Sequence, residues 1–243
     1  MTRPFAIAAI AATCLALSGC VIAVERAAIA GSATPAAGEA QRRFDVAGFE
    51  KVDLASSDRV VIVVADRFAV TAAGDPHAVA ALAITVRDGM LRVDRMPGRY
   101  RDRGATVTVT MPMLRAASLS SSGSLRADGV TGPAFVGELG GSGSMTLRGL
   151  TAASVRLDLG GSGSIVADGR TDAVDIDLGG SGRIDAHALA TPMVAIDMGG
   201  SGSIVAAASR TASIDAGGSG TVRVTGGARC DVHKSGSATV RCG

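Results

Sequence analysis

Across residues 117–242 apolar side chains return at every second position on either side of a recurring Gly-Ser phrase. Gly-Gly-Ser-Gly-Ser stands at residues 140–144, 160–164 and 199–203, with near copies at 179–183 and 217–221 and worn copies at 121–124 and 234–237. The central serines are Ser122, Ser142, Ser162, Ser181, Ser201, Ser219 and Ser235, in steps of 20, 20, 19, 20, 18 and 16 residues. Three positions before them come Leu119, Leu139, Leu159, Leu178, Met198, Ala216 and Val232; three after come Leu125, Met145, Ile165, Ile184, Ile204, Val222 and Ala238. A period of two means strands with one buried face, not helices. A unit of about 20 residues cannot bury that face alone, but stacked copies bury a continuous stripe. The pattern therefore predicts an all-β, single-domain parallel β-helix (a β-solenoid) of about 20 residues per coil. Glycine suits the sharp corners of so small a coil because it lacks a Cβ. A flexible Gly/Ser linker would not keep apolar columns in register.

Residues 44–116 carry the same signal less regularly. Val52, Leu54, Val60 and Ile62 flank Ser57 at the later offsets, and Asp53 lies four before it. Asp75-Pro76 reads as a turn leading into one helical turn, and Arg87-Asp88-Gly89-Met90 as a hairpin or tight corner. The 65 residues from Ser57 to Ser122 would hold about three further coils. Residues 99–103, around the single Tyr, read as a basic exposed loop. The solenoid is thus expected over 44–243, irregular over 44–116 and regular over 117–243.

Before it, Arg3 and a short apolar run over residues 5–17 read as a signal peptide, too short for a stable membrane-spanning helix. Leu17-Ser18-Gly19-Cys20 resembles the lipobox of bacterial lipoproteins. That resemblance implies cleavage after residue 19, loss of Cys14, and a lipid on Cys20. Val21 in place of Asp leans the destination toward the outer membrane. Residues 20–43, rich in Ala, Gly, Ser and Thr, read as the anchor and a flexible tether. A net charge of +2 argues against a nucleic-acid partner.

The chain resembles the autotransporter adhesin head GIN domain family of the bacterial envelope, a family of unknown function. Phe49-Glu50-Lys51-Val52-Asp53-Leu54, Asp88-Gly89-Met90-Leu91-Arg92-Val93 and the Gly-Ser-Gly repeats carry the resemblance, which covers roughly residues 44–241. It implies a β-helix and, by the family's name, adhesion. The chain shows no passenger-and-barrel layout, so an autotransporter route is not expected.

One column could carry chemistry. Glu138, Asp158, Asp177, Asp197, Asp215 and Asp231 each stand four residues before a central Ser. At a coil spacing of ~4.8 Å, neighbouring carboxylates would repel by roughly 0.9 kcal/mol in water, and no basic column answers them. Either each accepts a backbone N–H from its corner, as in an Asx-turn, or the ladder holds Ca²⁺, which takes six to eight oxygens. The structural reading is preferred, since the known Ca²⁺-binding β-roll pattern has another order and period. His77, His187 and His233 recur in no column, and no nucleophile motif surrounds any Ser. Cys230 and Cys242 are expected to form a disulfide closing the last coil; no further ligand completes a metal site.

No catalytic residue, cofactor or metal is expected. The preferred function is a non-enzymatic envelope lipoprotein presenting a flat Gly/Ser/Asp face to an envelope protein or polysaccharide, with the membrane reached through its lipid. The alternative is a carbohydrate-active enzyme of the envelope; a groove with clustered ionisable residues would favour it.

Overall fold

The computed structural model describes residues 39–99 and 101–243. The signal peptide, Cys14, Cys20 and the tether up to residue 38 lie outside the described residues, as does Tyr100. The N-terminal part holds β1 (Ala40–Phe44), β2 (Lys51–Leu54), β3 (Arg59–Val64), β4 (Ala69–Gly74), helix α1 (Pro76–Ala81), β5 (Leu82–Arg87), β6 (Met90–Arg95) and β7 (Ala105–Met111). Next come β8 (Ala116–Leu119), β9 (Ser124–Asp128), β10 (Thr131–Leu139), β11 (Ser144–Leu159), β12 (Ser164–Leu178) and β13 (Arg183–Ala190). The last are β14 (Met193–Met198), β15 (Ser203–Ala207), β16 (Thr211–Ala216), β17 (Thr221–Thr225), β18 (Arg229–Lys234) and β19 (Thr239–Cys242).

The chain is a parallel β-solenoid. On one face β8, β10, the ends of β11 and β12, β14, β16 and β18 pair in parallel; on the other, β9, the starts of β11 and β12, β13, β15, β17 and β19 do so. Through the coil of Ser219 each apolar column read from the sequence is one rung per coil; in the last coil Val232 stands beside Ile214 and Val240, not Ala238, beside Val222. Leu139, Leu159, Leu178 and Met198 stand in register, as do Met145, Ile165, Ile184 and Ile204, and all eight are buried. Burying a Leu or Ile side chain contributes about 1.5–3 kcal/mol, and each rung covers its neighbour. That repetition makes a thin coil stable.

Residues 57–122 depart from the expected three coils. The coil of Ser57 stacks directly on that of Ser122, with Val52 beside Ala117 and Val60 beside Leu125. The intervening chain leaves the stack and returns on its far side. There β6 and β7 run parallel to β2 and β3, and β5, β4 and β1 close the edges antiparallel. Period-two alternation is the same in parallel and antiparallel strands, so the columns alone could not separate the two arrangements. Local signals could. Asp88 and Gly89, both at positive φ (51° and 71°), join β5 to β6 in a two-residue hairpin. Asp75 caps α1, accepting the His77 N–H at 2.9 Å, with Pro76 in the first turn.

A buried charge cluster pins this end to the first coil. Asp58 occupies the corner position that Gly123 fills one coil later, and its carboxylate points inward, fully buried. It receives the Arg95 guanidinium at 2.5 and 2.7 Å, the Ala105 N–H at 2.8 Å and the Ser56 hydroxyl at 2.8 Å. Arg95 also reaches Asp102 at 2.8 Å. The loop at 99–103 is thus not wholly exposed: Arg99, Arg101 and Arg103 face solvent, but the Asp102 side chain is buried.

The last coil corrects the sequence register. Ala216 stands beside Lys234 and Thr221 beside Thr239, so Ser237, not Ser235, continues the central serine column, and the final step is 18 residues. Lys234-Ser235-Gly236-Ser237 places a Ser on each side of one Gly, so the sequence alone allows either as the centre. Cys230 lies beside Ala212 and Cys242 beside Val224, both in inward columns. They form a disulfide, 12 residues apart in sequence and 6.5 Å between Cα atoms. Closing that loop is expected to contribute about 3 kcal/mol. Replacing both cysteines by Ser should lower the chemical-denaturation midpoint accordingly; an unchanged midpoint would remove the bond's stabilising role.

Candidate functional site

At each Gly-Ser corner the backbone of one coil lies directly on the next. Gly163 N–H donates to Gly141 O at 3.2 Å, and Ser164 N–H to Gly143 O at 3.1 Å. A Cβ at Gly161 would collide with the carbonyl oxygen of Gly141, and one at Gly163 with that of Gly143 and with Leu139 Cδ2. Only glycine lets the corner sink this far. The buried glycines become the floor of a groove, and the side chains flanking them become its walls.

One wall is the column of exposed central serines, Ser57, Ser122, Ser142, Ser162, Ser181, Ser201 and Ser219. The other is the position two residues later: Ser124, Ser144, Ser164, Ser203 and Thr221, interrupted by Arg59 and Arg183. The groove holds about 1010 Å³. Seven coils at ~4.8 Å spacing make it roughly 29 Å long. The flat face expected from the sequence is therefore concave.

Its polarity comes from hydroxyls, and its charge from arginine. Arg59 is exposed and makes no ion pair among the described residues; Arg183 and Arg103 have only long contacts, to Asp185 at 4.0 Å and Asp75 at 3.8 Å. Asp58 is the single carboxylate among the described lining residues, and it faces Arg95 rather than the groove. Burial pushes its carboxyl up, but the hydrogen bonds from Arg95, Ala105 and Ser56 outweigh this and hold it below the ordinary carboxylate range. It therefore stays ionised and is no proton donor at neutral pH.

The acidic column lies on the other face. Glu138, Asp158, Asp177, Asp197 and Asp215 stand in one line, as read from the sequence. Asp231 does not join them: the corrected register sets it beside Ser213, and His233 takes the place next to Asp215. None of these carboxylates accepts a corner N–H among the described residues. Instead Arg156 spans Asp158 and Asp177 at 3.0 and 3.4 Å, and Arg92 meets Asp53 in the same line at 2.6 Å. A single file does not converge, and among the described residues no group of three potential ligands gathers around a point. His77 follows the α1 cap, His187 Nδ1 lies 2.6 Å from Asp185, and His233 lies 3.7 Å from Asp231; no two of the three come together. Arg59 and Arg183 were not singled out from the sequence. Their signal was there: Arg183 is what makes residues 179–183 an imperfect copy, and Arg59 stands two after Ser57.

The site is thus a continuous Ser/Gly groove along one corner of a parallel solenoid. Residues 48–228 match the family described as "Putative auto-transporter adhesin, head GIN domain", and the chain belongs to it. Solved structures share the fold. A "putative adhesin" of Bacteroides fragilis superposes with a TM-score of 0.78 at 19% identity, over 86% of this chain and 98% of its own. A "putative lipid binding protein" of Parabacteroides distasonis gives 0.64 at 16% identity, over 85% and 97%. A "putative adhesin" of Parabacteroides merdae gives 0.60 at 17%, over 86% and 98%. No curated protein matches the sequence.

Proposed function

We propose that this protein is a non-enzymatic interaction module of the bacterial envelope, held at the outer membrane by lipid on Cys20, which engages its partner along the serine groove. The observation that carries this is the groove itself: a rigid, polar concavity running across seven coils. The family's description and two of the three related structures, as adhesins, point the same way. The carbohydrate-active-enzyme reading fares worse. Glycoside hydrolysis uses two carboxyl groups flanking the scissile bond, and among the described residues the groove lining offers only Asp58, which Arg95 occupies.

The experiment is retention of washed envelopes on immobilised protein. Ser162→Trp with Ser201→Trp fills the groove from exposed positions and should cut retention about tenfold, which is ~1.4 kcal/mol. Asp177→Asn with Asp197→Asn, outside the groove lining, should leave retention unchanged. Equal retention by both variants would refute the groove as the working surface.

A further inference from the structure

We infer that the groove's ligand is a linear, carboxylate-bearing polysaccharide that spans Arg59 and Arg183. This rests on the reading of the groove as the working surface and adds the class of ligand. The groove lining and the acidic column differ in the charges they expose. Glu138, Asp158, Asp177, Asp197 and Asp215 form one line, answered in part by Arg156, whereas the groove holds Arg59, Arg183 and Arg103, and among its described lining residues no carboxylate is turned into it. The solvent-facing charges of the described groove lining are therefore all positive, with Asp185 and Asp75 beyond it at 4.0 and 3.8 Å from Arg183 and Arg103.

The spacing selects a chain over a small molecule. Arg59 and Arg183 occupy the same wall four coils apart, with Ser124, Ser144 and Ser164 between them. At ~4.8 Å per coil the two guanidinium stems are roughly 19 Å apart. A ligand meeting both must be extended and must offer hydrogen-bonding groups to the hydroxyls on the way. Each Ser both donates and accepts, as sugar hydroxyls do. Arginine's planar fork matches a carboxylate with two parallel hydrogen bonds. Among the described residues no aromatic side chain lines the groove, so charge and hydroxyls are what the described lining offers a sugar. The same lack of stacking platforms, with three cations over this length, fits single-stranded nucleic acid poorly.

The test measures calorimetric affinity of the full chain, carrying Cys20→Ala to keep it out of membranes, for a galacturonic acid decamer at low salt. The decamer should bind, and a galacturonic acid trimer, too short to bridge both arginines, should bind at least tenfold more weakly. Arg59→Gln and Arg183→Gln should each weaken decamer binding about tenfold, and neutral dextran should not compete. Four results would overturn the inference: no decamer binding; equal affinity for trimer and decamer; Arg variants that bind like the parent; or phosphatidylglycerol vesicles that displace the decamer, which would make the ligand a lipid surface. If the decamer fails while envelope retention still depends on Ser162 and Ser201, the ligand class falls and the groove stands. If retention too is groove-independent, both fall.

Discussion

Gly161→Ala should destabilise the protein by about 3 kcal/mol or more, while Gly160→Ala, one residue away, should be neutral or stabilising by at most about 1 kcal/mol. The two glycines look alike in sequence. In the stack they differ completely. A Cβ at Gly161 runs into the Gly141 backbone, which cannot rotate away as a side chain would, whereas a Cβ at Gly160 meets nothing within 4 Å. Relieving the clash means lifting one coil from the next, stretching Gly163 N–H to Gly141 O and its neighbours. Gly160 also lacks the positive φ that would strain an alanine, so there alanine only reduces the freedom of the unfolded chain. The same contrast should hold for Gly179 and Gly180. Denaturation midpoints of the paired variants decide it; equal midpoints would mean the corners can spread, and the close coil contact drawn here would be wrong.

The repeat was legible because identical columns in successive coils repeat the same burial, and Leu159, Leu178 and Ile176 stand where alternation puts them. Two things were not. The chain's return over β4 to β7 is a matter of strand direction, which alternation does not encode; Asp88-Gly89 and Asp75-Pro76 marked its turns but not the order of the stack. The final register is hidden by a phrase with two serines, and counting from Ser235 places Asp231 in a column it does not occupy. The groove was legible in composition but not in shape, because its depth comes from where glycine is missing a Cβ. The Asp58–Arg95–Asp102 cluster joins residues up to 44 positions apart, and no local pattern announces it.

Cys20→Ala should abolish incorporation of labelled fatty acid and move the protein out of the membrane pellet. Cys20 follows Leu17-Ser18-Gly19 at the end of a short apolar run, the placement at which lipoproteins are cut and acylated. One acyl chain anchors only reversibly, so firm anchoring calls for a second chain on the same residue. The effect is therefore close to all-or-none rather than graded. Label retained by the Cys20→Ala chain would refute the anchor. The groove proposal does not depend on it.

The central claim, that the serine groove is the surface that meets the partner, is tested most directly by asking which face becomes covered. Ser162→Cys places a thiol in the groove, and Asp177→Cys places one outside it, in the acidic column. Each is alkylated with and without washed envelopes, and the modified peptide is quantified by mass. The account predicts that envelopes slow alkylation at position 162 by about tenfold or more and leave position 177 unchanged. Protection at 177 with 162 still fully reactive would contradict it.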